Sequence, residues 1–260
     1  MDNKQHYAIV FDMDETLGSF SQLYIFWNLT KLFLKEEDLP DKYFFSILDL
    51  FPHFLRPQLL RLLKNIKNKK KLGICNYVMI YTNNNGPNEW ANIIKNYLHY
   101  KLHYNLFDKI IRAFKIDGQK IEICRTSHGK SYKDFINCTQ LPSNTKVCFL
   151  DDVYHEEMIN DNVLYINLKP YHHNEEYKTM CEKFYKKNKK LFGRSLREYQ
   201  DFIKLNTNNH NLNALNKSRP QKNIEYLFTN HIIFQINKFF KSRENFTKKN
   251  KIKYNKTFKK

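Results

Sequence analysis

Two aspartates stand directly after a short apolar run near the start of the chain, and this arrangement constrains the fold more than any other feature. The run covers residues 7–11, and Asp12 and Asp14 follow it. Such a run is typical of a buried parallel strand, which carries the residues after it to the ligand-binding edge of an open α/β sheet. Two carboxylates beside a buried strand are costly without neighbouring positive charge. The segment therefore predicts a site for Mg²⁺ and a phosphoryl group at this edge.

Four further apolar runs predict the rest of the sheet. They cover residues 76–81, 109–114, 147–150 and 163–167. Thr82 and Asn83 follow the first of these runs, and Asp151 and Asp152 follow the third. Five strands that alternate with helices indicate an α/β fold with a parallel, doubly wound, Rossmann-like sheet, whose strand ends converge on one crevice.

The segment between the first two strands has helical periodicity. Leu23, Trp27, Thr30 and Leu34 recur at three- and four-residue spacing, and a second apolar cluster precedes Pro52. Residues 18–55 are therefore predicted to form a small helical insert, which either covers the site as a cap or only packs against the sheet.

The composition changes after residue 171, which predicts a domain of residues 1–171 and an extension of residues 172–260. Lys and Asn dominate the extension. Helices are predicted over residues 175–192, 196–205 and 224–240. A polar linker is expected over 206–222. The basic tail of residues 241–260 is either disordered or an electrostatic arm for RNA, DNA or another acidic partner.

The chain is strongly basic, with a formal net charge of +18. This charge favours acidic partners such as nucleic acid, phosphorylated protein or an anionic surface. AT-rich codon usage, which enriches Lys, Asn and Ile, is the alternative explanation, and such a composition also fits a viral protein in a host cell.

The cysteines and the hydropathy argue for an intracellular chain. There are five cysteines and no Cys-x-x-Cys pair, so a zinc site is not expected. Cys75 and Cys148 lie in or beside predicted strands and are expected to be reduced, as in the cytoplasm or nucleus. The first apolar run is too short for a signal peptide, and no apolar stretch is long enough to span a bilayer.

The order of these motifs resembles that of the haloacid dehalogenase-like (HAD) phosphohydrolases. That superfamily combines an Asp-x-Asp-x-Thr motif, a hydroxyl residue after a later strand, a lysine, and a final acidic pair. Here the corresponding positions are Asp12 with Asp14, Thr82, Lys130 or Lys133, and Asp151 with Asp152. The resemblance implies a HAD-like sheet with the insert placed after the first strand.

Several details resemble one family more closely, the RNA polymerase II carboxy-terminal-domain phosphatases, or NLI-interacting-factor-like family. Glu15 stands where many superfamily members have Gly, and Arg56-Pro57 is similar to an Arg-Pro segment of the family. The segment from Tyr132 to Phe135 resembles its Lys-Asp-Leu motif, which implies that Lys133 is the catalytic lysine. The resemblance covers residues 7–171, and the extension has no counterpart in it.

The resemblance implies specific roles in phosphoryl transfer. Asp12 is expected to attack phosphorus and form an aspartyl-phosphate, and Asp14 to act as general acid and base. Thr82, Asn83 and Lys133 are expected to bind the phosphoryl oxygens. 

A metal site is implied at the same edge. Asp12, the Asp14 carbonyl and Asp151 are expected to bind Mg²⁺, because this ion prefers oxygen ligands in octahedral geometry. Asp152 is expected to contact one of these ligands or to bind the ion through a water molecule.

Three functions are therefore open. The first is a Mg²⁺-dependent phosphatase acting on phosphoserine or phosphothreonine in protein. The second is a nucleic-acid end or nucleotide phosphatase, which the positive charge favours. The third is a non-catalytic HAD-fold binding protein. The retention of every expected carboxylate and of the lysine argues against the third.

Overall fold

Five parallel strands form the central sheet of the computed structural model, which describes residues 5–207, 214–215 and 217–257. The strands are β1 (Tyr7–Phe11), β2 (Tyr77–Tyr81), β3 (Lys109–Ile111), β6 (Lys146–Asp151) and β7 (Val163–Asn167), in the spatial order β3-β2-β1-β6-β7. The predicted α/β class and the five strands are confirmed. The third strand is shorter than predicted, because the chain leaves the sheet after Ile111 and forms a separate antiparallel hairpin of β4 (Lys115–Ile116) and β5 (Gln119–Lys120).

Both faces of the sheet are buried, which explains the uninterrupted apolar strands. On β1, Ile9 and Phe11 belong to one buried cluster, and Ala8 and Val10 belong to the other. Ile9 pairs with Val78 of β2 on one side and with Cys148 of β6 on the other. β1 is therefore the centre of the sheet, and the residues that follow it are held in a fixed position.

Helices cover the two faces unequally. They are α1 (Ser21–Leu34), α2 (Asp41–Leu50), α3 (Leu59–Lys71), α4 (Asn88–Leu102), α5 (Tyr132–Thr139), α6 (Tyr177–Lys187), α7 (Leu196–Thr207) and α8 (Arg219–Thr257). α5 packs on the face of Ala8 and Val10, and the other helices contribute to the larger cluster around Ile9 and Phe11.

The insert is helical, as predicted, and consists mainly of α1 and α2. Trp27 and Phe44 pack edge to face with ring centroids 5.6 Å apart, and Phe44 packs in the same way on Trp90 of α4 at 5.3 Å. These contacts direct the insert onto its neighbouring helices and into the larger core.

The extension is part of the same core. Phe184 of α6 and Tyr199 of α7 lie against Phe26 of the insert, with centroids 6.2 and 6.3 Å apart. α8 begins before the predicted helix and continues through most of the predicted basic tail. Residues 208–213 and 216 of the predicted linker and 258–260 of the tail lie outside the described residues. No described helix combines the length and apolar composition needed to cross a membrane.

The cysteines differ from the prediction at one pair. Cys75 and Cys148 are buried free thiols, and burial raises the pKa of Cys75 to about 12. Cys124 and Cys138 instead form a disulfide. The last turn of α5 brings Cys138 back beside the loop that precedes the helix, so that the two Cα atoms lie 4.9 Å apart. Their sequence separation of 14 residues gave no indication of this contact.

Candidate active site

The strand order places a crevice between β1 and β6. The chain runs outward from β1 through β2 to β3 and then returns to β6 on the other side of β1. Ligands of open α/β sheets bind at such a switch point, outside the carboxyl ends of the strands. A cleft of about 240 Å³ lies there. Its lining residues are Asp12, Asp14, Glu15, Thr82, Asn83, Asn84, Lys130, Asp151, Asp152, Val153 and His155.

Lys130 is the central positive charge of this cleft. Its Nζ donates to Asp12 Oδ1 at 2.5 Å and to Asp151 Oδ2 at 2.7 Å, and its side chain is only 2% exposed. Charge-assisted hydrogen bonds of this kind are short and strong. The ammonium therefore holds the end of β1 against the end of β6.

The structure places Lys130 in the cleft, whereas the family resemblance implied Lys133. Ser131 caps α5, and its Oγ accepts a hydrogen bond from Asp134 N at 3.0 Å. Lys130 therefore precedes the helix and reaches the cleft. Lys133 lies in the first turn, on the exposed side of α5, while Phe135 packs on the sheet.

Asn84 positions the second aspartate. Its Nδ2 donates to Asp14 Oδ2 at 2.7 Å, and its Oδ1 accepts from Gly86 N at 2.8 Å, which fixes the orientation of the amide. The Asn84 backbone N donates to Thr82 Oγ1 at 3.0 Å, so the Thr82 hydroxyl retains its own proton for an anion. Thr82 and Asn83 line the cleft as predicted. Asn84 was missed, although its place after a strand was a usable signal.

Arg56 stabilises the turn that carries Asp14. Its guanidinium donates to the carbonyl oxygens of Glu15 at 2.6 Å, Thr16 at 2.7 Å and Lys169 at 2.9 Å. Glu15 has a φ of 56°, a conformation that is uncommon outside glycine, and these bonds help to hold it. Burial lowers the pKa of Arg56 to about 10, which leaves it charged at neutral pH.

Arg125 was also missed, and nothing in its sequence context distinguishes it. It is fully buried and lies over the Tyr81 ring, 4.8 Å from the centroid. One terminal nitrogen donates to Thr82 O at 3.3 Å and the other to Gly129 O at 3.1 Å. Arg125 therefore connects the end of β2 to the loop that carries Lys130.

The carboxylates outnumber the positive charges in this cleft. Burial raises the pKa of Asp12 to about 7 despite the attraction of Lys130, and burial also raises the pKa values of Asp14 and Asp152. Burial and the charge of Asp14 raise the pKa of Glu15 to about 7. At Asp151, burial is outweighed by the hydrogen bond from His155 and by Lys130, so its pKa is lowered.

Three of these carboxylates could hold a metal ion. One oxygen from each of Asp12, Asp151 and Asp152 lies within 4.8 Å of the other two. Hard divalent cations prefer such oxygen ligands, and a cation would relieve the mutual repulsion that adds to burial in raising the pKa values of Asp12 and Asp152. Asp152 is held by Thr16, whose hydroxyl donates to Oδ1 at 3.0 Å. The Asp14 carbonyl, the other predicted ligand, accepts from Thr16 N at 2.6 Å.

The insert does not cover this cleft. Among the described residues that line it, none comes from residues 18–55. The alternative to a cap, in which the insert helices only pack against the body of the protein, therefore agrees with the structure.

No protein-family model, curated protein or solved structure matches this chain.

Proposed function

We propose that this chain is a HAD-like, Mg²⁺-dependent phosphatase that hydrolyses phosphate monoesters. The observation that carries the proposal is the buried Lys130 ammonium between Asp12 and Asp151 at the switch point of the sheet. Phosphoryl transfer needs an in-line nucleophile, positive charge that neutralises the phosphoryl oxygens, and a proton for the leaving group. The cleft contains candidates for all three.

In this proposal, Asp12 and Asp14 carry out the reaction in two steps. An Asp12 oxygen attacks phosphorus, the bond to the ester oxygen breaks, and Asp14 gives its proton to that oxygen. Water then attacks the aspartyl-phosphate, Asp14 accepts a proton from it, and inorganic phosphate leaves Asp12. The raised pKa of Asp14 supports the proton-bearing form that the first step requires. Lys130 and the Thr82 hydroxyl bind the phosphoryl oxygens.

Mg²⁺ fits the donor set of this cleft. Asp12, Asp151 and Asp152 would hold it through carboxylate oxygens, as a hard cation prefers. When bound, the ion neutralises negative charge on the phosphoryl oxygens and on the carboxylates.

The open cleft suits a phosphate on a macromolecule. Val153 and Tyr154 are 57% and 60% exposed beside the acidic pair, and the Tyr154 ring stacks on Tyr165 with centroids 5.7 Å apart. This apolar rim is suited to the backbone and side chains around a phosphoserine or phosphothreonine. The net charge of +18 favours a second candidate, a phosphorylated nucleic-acid end.

The test is hydrolysis of para-nitrophenyl phosphate with Mg²⁺ and with a chelator. We expect metal-dependent turnover that falls at least about a thousandfold in Asp12→Asn, because the nucleophile is lost. Asp161→Asn, at an exposed position, is the matched control and should retain full activity. Unchanged turnover in Asp12→Asn would refute the proposal. Phosphopeptides and 5′-phosphorylated oligonucleotides, compared as competing substrates, then distinguish the two substrate classes.

A further inference from the structure

The inner face of α8 fixes this helix on the body of the protein. Ile232, Ile236 and Phe240 are fully or almost fully buried in the larger core. Phe240 lies near the Tyr7 ring of β1, with centroids 6.0 Å apart, and Arg61 of α3 donates to Asn230 at 3.1 Å. The helix is thus anchored by one face, and its orientation relative to the core is defined.

The outer face of α8 carries an exposed apolar stripe. Thirteen large hydrophobic side chains are exposed among the described residues, and four of them belong to this one helix. Ile224, Leu227 and Phe234 are 59%, 65% and 63% exposed, and their spacing of three and seven residues aligns them along the helix. Tyr226, half exposed, borders a separate cavity beside Tyr171. We define Ile224, Leu227 and Phe234 as the α8 stripe.

Positive charge surrounds the α8 stripe. Lys222, Lys238 and Lys241 are exposed on the same helix. Glu225, the one acidic residue between positions 219 and 241, is already paired with Lys217 at 2.5 Å. The sequence from 241 to 260 then adds nine Lys or Arg residues and a single Glu. Codon bias can enrich lysine, but it does not place large apolar side chains in line on a helix face.

We propose that α8 docks on an anionic lipid surface. A helix with an apolar face and flanking basic residues lies in the plane of a membrane interface, with its apolar side chains among the acyl chains and its lysines at the headgroups. Ile224, Leu227 and Phe234 match the first requirement, and the flanking lysines match the second. This inference is independent of the proposed phosphatase activity.

Two other occupants fit the surface less well. Nucleic acid would use the lysines and aromatic rings, but it leaves the exposed aliphatic side chains of Ile224 and Leu227 without a role. A second copy of the chain would bring together two surfaces of the same positive charge, and the net charge of +18 opposes this.

Docking through α8 leaves the acidic cleft accessible. The start of the helix lies near Tyr171, which the Lys217 ammonium approaches at 4.1 Å, and the Tyr171 backbone N donates to Glu15 O. Phe239 lies at Tyr7, at the opposite end of β1. The helix therefore runs along the side of the sheet, and none of its described residues lines the cleft, so vesicle binding and hydrolysis of a soluble aryl phosphate should not compete.

The experiment is cosedimentation of the full chain with phosphatidylcholine vesicles, with and without about one third phosphatidylserine. We expect binding only to the anionic vesicles. The combined variant Ile224→Ser, Leu227→Ser and Phe234→Ser should bind them at least about tenfold less, because apolar burial is lost. Leu32→Ser with Leu72→Ser, at positions 63% and 58% exposed elsewhere on the protein, should bind like the wild type. Circular dichroism checks that each variant is folded.

Several outcomes would overturn the inference. Failure of the wild type to bind anionic vesicles, or equal binding by the stripe variant, would exclude docking through the stripe. Binding to single-stranded oligonucleotides that is lost in the stripe variant, without vesicle binding, would assign the surface to nucleic acid. A concentration-dependent dimer that the same variant abolishes would assign it to a second copy. Vesicle binding that weakens with Lys238→Gln and Lys241→Gln and with added salt supports the proposal.

Discussion

The charged pair Lys130–Asp151 in the acidic cleft and the aromatic layer between α1, α6 and α7 are both buried, but they consist of opposite kinds of side chain. In the cleft, Lys130 and Asp151 are at most 2% exposed. In the aromatic layer, Phe26, Phe184 and Tyr199 are completely buried, and the Phe26 ring contacts each of the other two rings. Burial raises pKa values and accumulates repulsion in the first region, whereas it stabilises the fold in the second. Depth within the molecule therefore does not show whether a residue serves stability or chemistry.

The largest effect is expected in the aromatic layer, where removal of one ring should affect stability alone. Phe184→Ala should lower the free energy of unfolding by about 3–5 kcal/mol, because the cavity adds to the lost transfer free energy. Urea denaturation measures this change. Leu32→Ala, on the exposed side of α1, should change it by less than about 0.5 kcal/mol. If folded Phe184→Ala also had a lower turnover per folded molecule, the prediction that the aromatic layer affects stability alone would be wrong.

Replacing Lys130 should reduce catalytic turnover. Lys130→Ala should reduce turnover of an aryl phosphate by about 10²–10³-fold, because a preorganised charge beside the phosphoryl group is lost. The matched control is Lys133→Ala, three positions later and exposed, which should remain near wild-type activity. Steady-state kinetics with saturating Mg²⁺ give both values. Severe loss in Lys133→Ala with little effect of Lys130→Ala would restore the assignment that the family resemblance implied.

Replacing Arg125 tests whether a buried arginine that does not line the cleft contributes to turnover. Arg125→Lys retains the charge but loses the fork that reaches Thr82 O and Gly129 O. Turnover should fall about tenfold or more, since small displacements of reacting groups are costly. KM should change less than kcat if Arg125 positions Lys130 for the transition state. A change in stability with no change in kcat would make it a purely structural residue.

The sequence predicted the strands better than it predicted which side chains meet in the cleft. The apolar runs, with the acidic or hydroxyl residues after them, located Asp12, Thr82 and Asp151 at one edge, because strand period and parallel topology determine that edge. Which of Lys130 and Lys133 reaches the cleft depended on where α5 begins, and the Ser131 cap starts that helix one residue after Lys130. Family resemblance had favoured the other lysine.

Other features depended on tertiary packing that no local pattern encodes. The helices of the insert were predictable from their periodicity, but their placement against Trp90 rather than over the cleft was not. The hydrogen-bond partners of Arg125 come from three separate segments of the chain, at Thr82, Arg112 and residues 128–129. The contact between Cys124 and Cys138 likewise arises only once α5 has folded back. Local periodicity identifies elements, whereas long-range packing decides which of their residues meet.

The smallest expected effect concerns the stability of the metal-free protein. Because the pKa of Asp12 is raised to about 7 in the folded state, folded protein binds a proton there that the unfolded chain has already released. The Asp12 contribution therefore lowers the free energy of unfolding as the pH rises from about 4 to 7, and it is constant above that range. Asp12→Asn removes this dependence but also weakens the contact with Lys130. We expect the free energy of unfolding of the variant, relative to that of the wild type, to increase by on the order of 1–2 kcal/mol from pH 5 to pH 8.

Thermal unfolding in the presence of a chelator measures this difference at both pH values. Each kcal/mol should raise Tm by about 2–4 °C for a chain of this size. Added Mg²⁺ should stabilise the wild type more than Asp12→Asn, because one of its carboxylate ligands is missing in the variant. A Tm difference between variant and wild type that is the same at pH 5 and pH 8 would show that folding does not raise the pKa of Asp12. The cleft would then resemble the aromatic layer, in which burial carries no electrostatic cost.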